Sequence, residues 1–397
     1  MRFRMTLTWM LAGMIFMAAR IAQADGVVPG YVLVQLKAGA DIESLESEYD
    51  TTTEEHVEDL SLYSLTTPSG STEAEFAQQL NKDSRVVWAQ TDTYVASPEF
   101  SGTAFHFAFD AGPDPGAYVN QTAYQQVNLA QALKSSTGSG IVVAVLDTGA
   151  TFSHPALQGH YVGGYNVLNP FLPPDDVADG VTNEAVGHGT MIAGIIARGA
   201  PKAQILPVRV LNGDGFGTAL DVAIGIDYAV THGARVLNMS FGSSQNSRAL
   251  EEALSEAIDA GAVVVASAGN DNTSKNHYPA ASPDVLAVTS VESNNVKSSY
   301  ANFGAYVTVV APGSGIRSTY YTGGYANWSG TSFATPFITA EVALIFSRHP
   351  KLTTSQIEEM VCATAHSVDN FNPRYQEQLG DGIIDMAAAV KCAPPSN

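Results

Sequence analysis

Residues 140–149 read GIVVAVLDTG: six consecutive apolar residues, then Asp147, then the turn-forming pair Thr148-Gly149. A short Val-rich run bounded by glycine predicts a strand buried on both faces. Runs of the same kind recur as AQILPVRVLN (203–212), ARVLNMSFG (234–242), AVVVASAGN (262–270), VLAVTSVE (285–292) and YVTVVAPG (306–313). Between them lie longer stretches with helical spacing: GTMIAGIIARG (189–199), ALDVAIGIDYAVTHG (219–233) and RALEEALSEAIDAG (248–261). This alternation, from about residue 121 onward, predicts an α/β domain of three layers with a mostly parallel central sheet. In such sheets ligands meet the carboxyl ends of the strands. The residues that end each strand are therefore the first place to seek function.

Asp147 ends the first strand, where alone it could be a simple turn former. GHGTMIAG (187–194) sets His188 between two glycines at the start of an apolar helix; alone it could be a cap or a metal ligand. SGTSFATP (329–336) offers Ser332 at the mouth of FITAEVALIFS (337–347), a nearly uncharged run that reads as a buried helix. Pro336 is expected in the helix's first turn, where a missing N–H costs little. The helix's unpaired N–H groups and positive end would favour an oxyanion beside Ser332. A bare serine cannot attack an amide, however; it needs a base, and the base needs an orienter. His188 and Asp147 supply both roles. Asn270, at the end of AVVVASAGN, is suited to donate to a tetrahedral oxygen, with the Ser332 backbone N–H as a second donor.

The remaining chain is organised differently. Residues 25–100 are Glu- and Asp-rich and read in the order β-α-β-α-β, which predicts a small ferredoxin-like α+β module. Thr72 and Glu75 have capping-box spacing. Residues 101–120 carry Gly, Pro and aromatics without a period and read as a linker or processing loop, or as an arm packed on the main domain. Before all this, Arg2 and Arg4 precede an apolar run, and Ala22-Gln23-Ala24 is a small-x-small site. Residues 1–24 are expected to be a secretory signal peptide, cut after Ala24, and the protein to be secreted or periplasmic. Export permits a disulfide between the only two cysteines, Cys362 and Cys392, although two free thiols are also compatible with their spacing. A formal net charge of −20 argues against nucleic acid or an anionic membrane as partner. PPDDVADGVTNE (173–184) gathers Asp175, Asp176, Asp179 and Glu184, which could serve a structural calcium ion but match no ligand formula; a solvated acidic loop is the simpler reading.

Taken together and in order, the Asp, His, Asn and Ser stretches resemble the motifs of the subtilisin-like serine proteases, the subtilase family. The likeness extends over about 121–392, with GDGIIDMAAAV (380–390) similar to the family's last helix and 393–397 left as a tail. The resemblance implies a serine endopeptidase that needs no cofactor for chemistry, works as a monomer and cleaves proteins or peptides. It also implies that Ser240, Phe241 and Gly242 on one side, and Gly215, Phe216 and Gly217 on the other, border an extended substrate. His277, just before Tyr278-Pro279, would lie near the floor of the primary pocket. Residues 25–100 would be an inhibitory propeptide, removed by self-cleavage somewhere in 98–124. Met191 and Ile192, and Phe333 with Phe337 to Ala340, depart from the family's usual residues, so the packing around the site is expected to differ. An inactive relative that only binds would usually lack one of the three catalytic residues, and none is missing. A Gly-x-Ser-x-Gly elbow and a His-Glu-x-x-His metal motif are both absent from the chain, against an esterase or a metal hydrolase.

Overall fold

The computed structural model describes residues 26–101 and 108–395. The expected signal peptide lies outside the described residues. In chain order the first unit contains β1 (Val27–Leu36), α1 (Ile42–Tyr49), β2 (Thr53–Val57), β3 (Leu62–Thr66), α2 (Glu73–Leu80) and β4 (Val86–Ala96). The order is β-α-β-β-α-β. The strand absent from the sequence expectation is β2, whose Glu54, Glu55 and His56 are exposed and hide its pattern. Thr72 and Glu75 form the expected capping box on α2. Alternation sorts the side chains of this sheet. Val32, Val34 and Leu36 pack on α1 and α2 with Leu45, Phe76 and Leu80, giving the unit its own core. Leu33, Leu62 and Trp88 point the other way, into a core shared with the rest of the molecule.

Beyond residue 108 come β5 (Phe109–Gly112), β6 (Val142–Asp147), β7 (Tyr165–Asn166), α3 (His188–Gly199), β8 (Gln204–Arg209), β9 (Phe216–Thr218), α4 (Ala219–Thr231), β10 (Val236–Met239) and α5 (Arg248–Asp259). The chain continues with β11 (Val263–Ser267), β12 (Val285–Val291), β13 (Val309–Pro312), β14 (Ile316–Thr319), β15 (Tyr325–Trp328), α6 (Thr331–Arg348), α7 (Thr354–Thr364) and α8 (Met386–Lys391). Seven strands form the central sheet in the order β13-β12-β11-β10-β6-β8-β7, and every pairing in it is parallel. The opening run shows why. Val143 and Val145 face the layer that holds α3 and α6, while Ala144 and Leu146 face the layer of α4 and α5. With both faces covered, apolar residues are required at every position of the strand.

Part of the expected linker is ordered. β5 is the third strand of a small antiparallel sheet, β14-β15-β5, and Tyr118 donates from its hydroxyl to the Gly194 carbonyl at 2.6 Å. The described part of this stretch thus packs on the rest of the chain. The expected disulfide is not formed: Cys362 and Cys392 are both free. The Cys362 thiol is pushed up by burial first, with the Asp381 carboxylate beside it adding to the effect. Cys392 instead points its sulfur at the Ala393 carbonyl, 3.5 Å away.

The first unit is seated on α4 and α5 by polar contacts as well as apolar ones. Trp88 donates from its indole to Glu252 at 2.7 Å. The Gln90 side-chain oxygen accepts from the Arg248 backbone N–H at 3.0 Å, and Asp92 faces Thr218 and the backbone of Leu220. Both groups therefore serve the exposed N–H ends of helices, which favour an oxygen acceptor.

Candidate active site

The sheet edge gathers the four residues singled out from the sequence. Asp147 is the last residue of β6, Asn270 follows β11, and His188 and Ser332 open α3 and α6. All four are buried. The Asp147 carboxylate accepts from the His188 Nδ1 at 2.7 Å and from the Thr148 backbone N–H at 2.7 Å. The far ring nitrogen, Nε2, is 3.3 Å from a Glu99 oxygen, Oε2. The Ser332 Oγ lies 2.9 Å from the same oxygen and 3.2 Å from the Ser240 carbonyl. The other Glu99 oxygen accepts from the Asn270 amide at 3.0 Å. Imidazole, hydroxyl and side-chain amide thus converge on one carboxylate.

Burial, the largest single influence, opposes a charge on His188, yet the carboxylates of Asp147 and Glu99 outweigh it and raise the imidazole to about 10. Glu99 is likewise penalised most by burial, but its contacts with His188, Ser97 and Ser332 leave it below the usual carboxylate range. Both shifts run in the direction that favours charge on the His188–Glu99 pair.

Several residues that hold this arrangement carry no clear sequence signal. Thr331 donates from both its backbone N–H and its hydroxyl to the Asn270 side-chain oxygen, each at 2.9 Å, which orients the amide. Asp176, which sequence places in a solvated loop, is buried and accepts from Gly187, Thr190 and Thr148, tying the loop to the start of α3. Asp179 meets Arg209 at 2.6 Å. These two carboxylates are committed to protein donors, and among the described residues no group of three or more His, Cys, Asp or Glu could hold a metal ion. Phe333, one of the departures from the family's residues, packs its ring edge on His188 at 5.3 Å, with Trp328 at 5.5 Å on the same imidazole.

Pro336 corrects another expectation. α6 starts at Thr331, so Pro336 sits in the second turn. Its missing N–H would have met the Ser332 carbonyl four residues back. That carbonyl accepts instead from the Ser240 hydroxyl at 3.0 Å, which in turn accepts from the Asn238 amide at 3.0 Å.

The expected substrate-bordering segments flank an extended strand of the chain itself. β4 runs antiparallel to β9, with Tyr94 opposite Thr218, Val95 opposite Gly217 and Ala96 opposite Phe216. On its other side Ala96 exchanges both backbone hydrogen bonds with Gly242, at 2.9 and 2.8 Å, and the Ser97 N–H donates to the Gly215 carbonyl at 2.9 Å. Glycine is required at 217 and 242: a Cβ would collide with the Val210 carbonyl oxygen and with the His277 ring, respectively. Phe216 packs on Ala96. The Phe241 side chain belongs to the core with Met239 and Leu250, so this segment borders the cleft with its backbone. The His277 ring is wedged between Gly242 and Gly269; a methyl group on Gly269 would be 3.1 Å from it.

A parallel sheet with an acid, an imidazole and a hydroxyl at one rim brings together the groups used in nucleophilic hydrolysis. The chain belongs to the subtilase family of serine endopeptidases: the family model matches residues 138–382, and the model of the fervidolysin N-terminal prodomain matches 17–92. Thermitase of Thermoactinomyces vulgaris is 40% identical over 59% of this chain and 85% of its own length. Subtilisin BL of Lederbergia lenta is 36% identical over 64% of this chain and 92% of its own. Fervidolysin of Fervidobacterium pennivorans, a keratinolytic enzyme related to subtilisin, shares the fold over 93% of this chain, with a TM-score of 0.76 at 24% identity. This chain spans 62% of fervidolysin's length. A protease of Pseudoalteromonas arctica aligns over 70% of this chain with a TM-score of 0.62 at 31% identity.

Proposed function

We propose that the protein is a secreted endopeptidase that cleaves peptide bonds with Ser332 as nucleophile, His188 as general base and then acid, and Asp147 as the group that orients the imidazole. The observation that carries this reading is the 2.7 Å bond from His188 to Asp147 together with the contact of His188 and Ser332 with one shared oxygen. Ser332 gives its proton to Nε2 as its Oγ attacks the carbonyl carbon. Asn270, held by Thr331, donates to the oxygen that gains charge, with the Ser332 N–H as second donor. His188 then protonates the leaving amine, and water repeats the sequence on the acyl-enzyme. No cofactor takes part in these steps.

The substrate is a protein or peptide that lies extended between Gly215, Phe216 and Gly217 and Ser240, Phe241 and Gly242, the track the chain's own β4 now follows. His277 shapes the primary pocket. Residues 1–24 direct export, 25–100 act as an intramolecular inhibitor, 101–120 join it to the peptidase domain at 121–392, and 393–397 form the tail. The mature N-terminus falls within 98–124, and the released enzyme is a monomer. Incubating the secreted protein and its Ser332→Ala form with a peptide library, with N-terminal sequencing of both, tests the reading. Cleavage and maturation are expected only with Ser332; processing by the Ala form would point to another nucleophile.

A further inference from the structure

The prosegment's strand stops short of presenting a bond to be cut. Ala96 is paired with Gly242, so antiparallel register sets residue 98 opposite Ser240. Residue 98 is proline and has no N–H to give the Ser240 carbonyl. The Ser332 hydroxyl approaches that carbonyl instead, at 3.2 Å. The chain then leaves the extended conformation and enters a helical turn, Pro98–Ser101. From this turn the Glu99 side chain reaches back into the centre.

Both of its oxygens are used. One accepts from the Asn270 amide at 3.0 Å. The other is 2.9 Å from the Ser332 Oγ, 2.6 Å from the Ser97 Oγ and 3.3 Å from the His188 Nε2. The carboxylate is fully buried, and a Cβ at Gly330 would collide with its first oxygen, so the space admits that oxygen only because residue 330 has no side chain. A planar, trigonal carbon with one oxygen on the amide donor imitates an acyl group but has no amine to expel. Its negative charge, 3.3 Å from the His188 Nε2, favours a proton there, and an imidazolium cannot accept one from Ser332. The groups facing Glu99 are His188 from α3, Asn270 after β11, Ser332 from α6 and Ser97 on its own segment, with Asp147 behind the imidazole.

Resting on the catalytic roles proposed above, we infer that Glu99 is a side-chain plug that silences the proenzyme by seating its carboxylate where a scissile carbonyl would go, and that self-cleavage waits until residues 97–101 withdraw and are presented again. The test compares full-length chains carrying Glu99, Glu99→Gln or Glu99→Ala, each also in a Ser332→Ala background. With Ser332 present, both variants are expected to self-process and to label with a fluorophosphonate at least about tenfold faster than the parent, as expected when a buried charge contact with the base is removed. In the uncut Ser332→Ala chains, the imidazole proton resonance of His188 should persist to high pH with Glu99 in place. Its titration midpoint should fall by about 1 or more on the pH scale in the Glu99→Gln chain. Equal processing and labelling rates with an unmoved midpoint, or a first cut at the Pro98–Glu99 bond, would overturn the plug and leave the Ser332 assignment standing. Labelling that survives Ser332→Ala would instead overturn the catalytic roles themselves.

Discussion

Ser240→Ala removes one hydroxyl that serves two buried partners. That hydroxyl is the donor to the Ser332 carbonyl, which Pro336 has left without a helical partner, and the acceptor for the Asn238 amide. All of these groups are buried. Leaving a buried carbonyl and amide unpaired costs about 1–3 kcal/mol. For a domain of this size that corresponds to a drop in melting temperature of roughly 2–12 °C. The comparison is best made by calorimetry in a Ser332→Ala background, where self-digestion cannot intervene and the backbone carbonyl is intact. Ser240→Thr keeps the hydroxyl and should recover most of the loss. In the active enzyme, Ser240→Ala should also lower kcat, because the first turn of α6 carries Ser332, the proposed nucleophile. A Ser240→Ala chain that melts with its parent would refute the claim that Ser240 substitutes for the bond lost at Pro336.

Three further outcomes come from the same geometry. Asn270→Ala should lower kcat by roughly 10²–10³ with little change in KM, the range the corresponding donor in subtilisin, a relative, is known to show; steady-state kinetics on a peptide substrate would decide, and an unchanged kcat would remove Asn270 from the oxyanion site. Burial, with Asp221 adjacent, raises the Asp92 carboxyl to about 7. A raised carboxyl takes up a proton on docking, so prosegment docking is strongest at low pH and weakens as pH climbs from the ordinary carboxylate value near 4 to about 7. In the uncut Ser332→Ala chain, residues 26–96 should therefore be better protected against hydrogen exchange at pH 5 than at pH 8 after correction for the intrinsic rate, and Asp92→Asn should flatten that dependence; protection indifferent to pH would contradict it. In the mature enzyme, activity should rise as His188 loses its proton, at neutral pH or above, and a profile peaking below about pH 5 would be incompatible with His188 as the base.

The parts of the fold that can be read from the chain are those with local cause. β6, β10 and β11 are short, mostly apolar strands; Asp147 is the last residue of the first, and Ser240 and Asn270 follow the other two. The glycines at 217 and 242 mark the cleft because a Cβ there would meet the Val210 and Tyr278 carbonyl oxygens, and Gly215 because its φ is positive. What the sequence conceals depends on partners far along the chain. Glu99 meets Ser332 across 233 positions, and nothing in Ser97-Pro98-Glu99 distinguishes it from a surface acid. Asp176 is hidden among the exposed Asp175 and Asp179 around it. β2 is disguised by charges on a strand that faces solvent. Pro336 reads as a first-turn residue only if the helix is taken to start after Thr331, and the carbonyl it frees is what reveals the role of Ser240.

The role proposed for Ser332, activated by His188 to supply the attacking oxygen in peptide cleavage, can be read out chemically. The direct measurement is mass spectrometry of the mature protein after reaction with a fluorophosphonate. A single adduct is expected on the peptide containing Ser332, formed at a rate that follows His188 deprotonation and absent from His188→Ala. An adduct on any other residue, or a Ser332 left unmodified while the enzyme still cleaves peptides, would contradict it.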